Sequence, residues 1–161
     1  MNQRYVAVDG TPYMEWWREL FGTPADTFAE SSFWQRGRSS IWVAARGVDP
    51  GKVSPVEGVG IPFLRIGEHL WKPTSVAVVE FGVHATRNVV ALDAAECRRY
   101  LDRESLELAP DDPRGHGVRR GFAIVTYEGV PLGCGLWRRG LLESCVPKGR
   151  RLADVDLPIR R

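Results

Sequence analysis

Apolar positions along this chain fall in short runs, each long enough for a strand or a few helical turns. In residues 11–22, TPYMEWWRELFG, Trp16, Trp17, Leu20 and Phe21 lie close to one face of a helix, as the 3.6-residue period requires. Thr11 as N-cap with Pro12 in the first helical position opens that helix and Gly22 ends it. A second short helix is expected after Thr23-Pro24, in ADTFAES. SIWVAAR (40–46) and IPFLRIG (61–67) are apolar, β-rich runs and read as strands, separated by the Gly- and Pro-dense loop GVDPGKVSPVEGVG. The first 70 residues therefore read as a small α/β unit rich in aromatics, with Trp16, Trp17, Trp34 and Trp42 among them.

A domain boundary is expected in EHLWKPT (68–74), because Pro73 fits neither a helix interior nor a central strand. Beyond it, Thr74 caps a short helix in SVAVVEFG, and NVVALD (88–93) is a strand. DAAECRRYLDRESL is a helix whose Asp93 and Glu96 have the spacing of a capping box. Cys97, Tyr100 and Leu101 form its apolar stripe. After the polar loop APDDPRGHG comes the clearest β pattern, three short strands near 121–127, 131–137 and 141–146. Glu128-Gly129 and Arg138-Arg139-Gly140 are the hairpin turns between them. Several short strands and one helix in such a stretch suggest a small closed or nearly closed barrel.

Composition narrows the class without naming it. No apolar run reaches the roughly 20 residues that span a bilayer, and MNQRYVAVDG lacks the pattern of a secretion signal, so a cytoplasmic protein without membrane contact is expected. Cys97, Cys134 and Cys145 are odd in number and widely spaced, which suggests buried free thiols and no metal site. No cofactor is implied, since the chain has no G-x-G-x-x-G after a strand, no P-loop, no G-x-S-x-G and no H-E-x-x-H. The glycines of PLGCG (131–135) let strands bend or backbones approach, or leave a backbone surface open to a ligand. Cys134 reads as a strand residue, and Asp111-Asp112 as solvent-facing loop carboxylates.

Charge is informative in its distribution. Residues 1–71 hold seven Lys/Arg against eight Asp/Glu, whereas residues 119–161 hold nine against four. Arg119-Arg120, Arg138-Arg139, Lys148, Arg150-Arg151 and Arg160-Arg161 carry the excess. Clustered guanidinium forks suit phosphate oxygens, and a plain solvated surface is the alternative.

GFAIVTYEGVPLGCGLWRRGLLESCVPKGRR (121–151) resembles the C-terminal PUA-like domain of RsmF-type RNA cytosine methyltransferases. The pattern is a glycine-led strand (Gly121), an aromatic (Tyr127), a PLG-x-G strand (Pro131, Leu132, Gly133, Gly135) and a PKG-x-R segment (Pro147, Lys148, Gly149, Arg151). KPTSVAVVEFGVHATRNVVALD (72–93) is similar to the region that opens the same domain, and YEGVPLGCG to the PUA domain of Nip7-type ribosome-biogenesis factors. The first 70 residues match nothing as firmly; FWQRGRSSIWVAAR (33–46) looks like a pre-PUA segment. The methyltransferase family's S-adenosylmethionine domain and its Pro-Cys or Thr-Cys pair have no counterpart here. The resemblance thus implies RNA binding without methylation.

The expectation is an α+β chain, a small N-terminal α/β domain (1–71) followed by a PUA-like β pseudo-barrel (72–161). The function expected is non-enzymatic binding of structured rRNA or tRNA in ribosome biogenesis or RNA modification. Lys72, Arg87, Asn88, Arg119, Arg120, Arg138, Arg139, Lys148, Arg150 and Arg151 are the expected RNA-binding residues, Asn88 doubling as a turn former. The N-terminal domain would contact RNA or a protein partner, with Trp16-Trp17 and Phe33-Trp34 as partner surface or core. A protein-interaction scaffold with a solvated basic face is the alternative function.

Overall fold

A computed structural model describes residues 4–52 and 58–150. The chain divides into two compact units, residues 1–86 and 87–161. That division lies later than the expected boundary at Lys72. Trp71–Pro73 is strand β5, paired with β4 (Ile61–Ile66), and Thr74 accepts a hydrogen bond from the Ala77 amide as the N-cap of α2 (Ser75–Phe81). Ala77 and Val78 of that helix are fully buried. Pro73 is compatible with its strand because β5 is the sheet's edge.

The N-terminal unit is a five-stranded antiparallel meander in the order β1-β2-β3-β4-β5, with β1 Tyr5–Val8, β2 Ser31–Arg36 and β3 Ser40–Ala45. Helix α1 (Thr11–Phe21) ends as its sequence requires, with Gly22 left-handed at φ 63 and its N–H donating to the Arg18 carbonyl. Its start differs from expectation: Gly10 is the N-cap, and Asp9 Oδ1 accepts from the Thr11 N–H (3.0 Å) and hydroxyl (2.7 Å). Trp17 and Phe21 point inward, and Trp17 stacks on Phe63 at 4.9 Å with Phe28 and Phe81 edge-on around it. ADTFAES forms successive turns instead of a helix. Thr27, Ala29 and Ser31 amides each donate three residues back, and burial of Phe28 in the aromatic core holds that path.

In the C-terminal unit a curled sheet runs in the order β6-β8-β9-β10-β7. Its strands are β6 (Val89–Leu92), β7 (Leu106–Glu107), β8 (Gly121–Tyr127), β9 (Val130–Arg138) and β10 (Leu141–Ser144). Among the described residues the sheet is open, with β6 and β7 as edges. Among the described strands of this sheet only β6–β8 is parallel, which a crossover through α3 (Ala94–Leu101) makes possible. The Asp93/Glu96 capping box is complete. The Glu128-Gly129 turn is as read, whereas the second is shorter than expected, Arg139-Gly140, because Arg138 pairs with Leu141 within the sheet; both turns are left-handed at both positions.

Cys97, Tyr100, Val90, Ala123, Val125 and Leu142 belong to the core of this unit. The Tyr100 hydroxyl donates to the Cys134 carbonyl at 2.9 Å, and burial pushes its pKa upward. Cys134 is a fully buried strand residue; Cys145 is only half-buried. Gly135 is required by close approach, since a Cβ there would lie 2.6 Å from Leu142 Cδ1 and 3.1 Å from the Glu143 carbonyl.

Candidate nucleic-acid interface

The strand directions of the C-terminal sheet collect arginines that are far apart in sequence. Strands β6 and β8 run parallel, so both begin at the same end, and antiparallel β9 ends there. Arg87 precedes β6, Arg119 and Arg120 precede β8, and Arg138 and Arg139 close β9. Gly121 pairs with Trp137, so one further step brings Arg120 level with Arg138. All five arginines are exposed. Arg138 is partly neutralised by an ion pair to Glu143 at 2.9 Å. Arg87, Arg119, Arg120 and Arg139 stand with it at the same end and make that end a cationic rim, whose field would draw a polyanion.

Asn88 assembles this rim from beneath. It is 4% exposed and left-handed at φ 51, a conformation asparagine tolerates. Its Oδ1 accepts from the Arg119 N–H at 3.1 Å, its Nδ2 donates to the Phe122 carbonyl at 3.5 Å, and its own carbonyl accepts from the Ile124 N–H at 2.7 Å. The side chain is thus hydrogen-bonded within the fold, where it holds the backbone of Arg119 in place. Sequence reasoning had the turn-forming option in view but no means to see the partner segment, which lies 31 residues away.

Lys72 is in the N-terminal unit, exposed on edge strand β5 opposite Arg65. Lys148 is exposed and follows the far end of β10, the end opposite to that where Arg138 and Arg139 lie. Arg150 closes a short 3-10 turn that begins at Lys148, and Arg151 lies outside the described residues. Among the described residues, the chain toward Lys148 thus leaves the sheet at the end opposite Arg138.

One residue that sequence reading missed organises the loop beside the rim. Arg114 donates to Glu96 (2.6 and 3.0 Å), to Asp112 (2.6 Å) and to the Ala91 carbonyl (3.0 Å). The guanidinium holds the Asp112 carboxyl down at about 2 and also lowers that of Glu96. Asp112 is consequently an ionised structural partner, not a free loop carboxylate, whereas Asp111 is exposed as expected. No spacing signal could have joined Glu96 to Arg114 in advance. The clamp fixes a turn whose Gly115 rests against the Trp137 indole, and a cleft of about 260 Å³ opens there between His116, Trp137 and Arg139.

Comparison with known families bears on this half directly. Residues 87–152 match the family model of the methyltransferase RsmF PUA domain. The match begins where the second compact unit begins, so this unit is PUA-like, and the generally RNA-binding character of PUA domains supports a coarse RNA-binding role. Residues 10–60 match a family of unknown function (DUF7122). No curated protein matches the chain. Among the described residues, no helix is long and apolar enough to cross a membrane.

Proposed function

We propose that this protein binds structured RNA, rRNA or tRNA, through the arginine rim of its C-terminal unit and catalyses no reaction on it, serving ribosome biogenesis or RNA modification. The observation that carries this reading is the convergence of Arg87, Arg119, Arg120 and Arg139 from three separated segments onto one end of a PUA-like sheet. Structured RNA is recognised largely by shape, phosphates and 2′-hydroxyls, and exposed arginines on a rigid strand end suit that mode.

The test is binding of folded tRNA and rRNA fragments across a salt series. With four rim arginines on phosphates, log affinity should fall with log salt at a slope of about −3.6, or roughly 150-fold between 50 and 200 mM. Arg120→Ala with Arg139→Ala halves the phosphate count, so the slope should drop to about −1.8 and the loss to roughly 12-fold. A slope unchanged in the double variant moves the interface elsewhere, with Lys148 and the segment after it next in line. A flat salt response in the wild type leaves the basic rim as a solvated surface and returns the chain to a protein-binding scaffold.

A further inference from the structure

Helices α1 and α2 pack on one face of the N-terminal sheet, through Trp17, Phe81 and Phe63. Side chains on the helix side include Phe33, Ile41, Val43 and Leu64, all buried. The opposite face is set by cross-strand register: Tyr5 pairs with Arg36, Arg36 with Ser40, Trp34 with Trp42, Ser40 with Arg65, and Arg65 with Lys72. Directly opposed residues share a face. Tyr5, Trp34, Arg36, Trp42, Arg65 and Lys72 therefore lie together, across all five strands.

Two details make this face more than a collection of aromatics. Each indole N–H donates to the serine two residues back on its own strand, Trp34 to Ser32 at 3.2 Å and Trp42 to Ser40 at 3.0 Å. Each indole edge is thereby tied back to its own strand. Arg36 covers one of them, its guanidinium carbon 5.1 Å from the Trp42 ring centre and 5.3 Å from that of Tyr5. Trp34, half-buried and next to Trp42, carries no such cation and no ring partner among the described contacts. The charge is one-sided too: the five strands carry Arg36, Arg65 and Lys72 and not one Asp or Glu.

We propose that the face opposite α1 and α2, beside the Gly58–Val59 loop that lies against Tyr5 and Trp42, is a second RNA site for an unpaired single strand: a base stacks on Trp34 while the flanking phosphates lie on Arg36, Arg65 and Lys72. A flat indole offers its π face to any base, and adjacent cations track the backbone. Lys72, expected from the sequence to bind RNA, then does so in the N-terminal unit and through a different mode from the arginine rim. The inference rests on RNA being the ligand of this chain, but not on the rim being the place where it binds.

The experiment is fluorescence anisotropy of the full chain with two labelled probes, an oligo-uridine dodecamer that stays single-stranded and a stable RNA hairpin. Trp34→Ala should weaken oligo-uridine binding roughly 5- to 150-fold, the weight of one stacked base, and Trp34→Phe should recover most of it. Arg65→Glu with Lys72→Glu, both exposed and outside the core, should weaken it at least about tenfold as two phosphate contacts turn repulsive. Neither change should move hairpin affinity, whereas Arg120→Ala with Arg139→Ala should do the reverse. The proposal is overturned by a wild type that ignores oligo-uridine yet binds the hairpin. It is equally overturned if the charge reversal leaves oligo-uridine affinity within about twofold, or lowers both probes alike.

Discussion

Replacing Asn88 by alanine distinguishes a side chain that builds the rim from one that touches RNA. Alanine removes the acceptor of the Arg119 N–H at 3.1 Å and the longer contact to the Phe122 carbonyl, in a site only 4% exposed. A buried backbone group that loses its partner costs about 1–3 kcal/mol. The left-handed φ of 51 adds roughly 1 kcal/mol for a side chain without asparagine's local hydrogen bonding. The sum, about 2–4 kcal/mol, corresponds to a fall of roughly 10 °C or more in the melting temperature of a unit this size. Thermal unfolding followed by circular dichroism measures that, with hairpin affinity taken in parallel at 20 °C. Asn88→Gly should recover the backbone share only, and Asn88→Asp should retain the Oδ1 bond. An alanine variant that melts within about 2 °C of wild type while losing most of its RNA affinity would place the amide on the ligand and refute the positioning role.

Acid should weaken the C-terminal unit through the Arg114 clamp. Glu96 and Asp112 titrate below their ordinary values of 4.5 and 3.8, Asp112 at about 2. Their contribution is therefore present above pH 4.5 and lost as pH falls toward about 2. Urea unfolding of Arg114→Met against wild type should show a deficit at pH 7 that shrinks steadily toward pH 2; a deficit independent of pH would mean the guanidinium acts through packing alone. Gly135→Ala should destabilise by about 1–3 kcal/mol, because its Cβ must displace Leu142 or the Glu143 carbonyl. An alanine variant as stable as wild type in a denaturant titration would show that β9 and β10 can separate at no cost.

Local grammar was readable and long-range assembly was not. Gly22, Thr74, the Asp93/Glu96 box and the two positive-φ turns each act within a few residues, and each stands where the sequence placed it. Strand β2 was not picked out, because Ser31–Arg36 mixes serine, glutamine and arginine with aromatics and both of its faces carry a ring, Phe33 and Trp34. The ADTFAES helix failed because Phe28 gains more from the aromatic core than seven residues gain from helical hydrogen bonds. For the candidate interface, Arg119-Arg120 and Arg138-Arg139 were legible as charge pairs, whereas Arg87 came only from the family resemblance. What sent Lys148 off from the end of the sheet opposite Arg138 was strand direction, and strand direction has no signature in composition.

The parallel pairing of β6 with β8 has a thermodynamic consequence. An unfolded chain holds Arg87 and Arg119 some thirty residues apart and offers no concentrated field; the rim exists only once the crossover has closed. Whatever binds it therefore binds the native state alone, and free energy of association becomes free energy of folding. RNA at a hundred times its dissociation constant would raise the unfolding free energy by about 2.7 kcal/mol. The ligand, in that sense, serves as a late-arriving part of the hydrophobic unit's own stability, and the protein would be hardest to unfold where its RNA is most abundant.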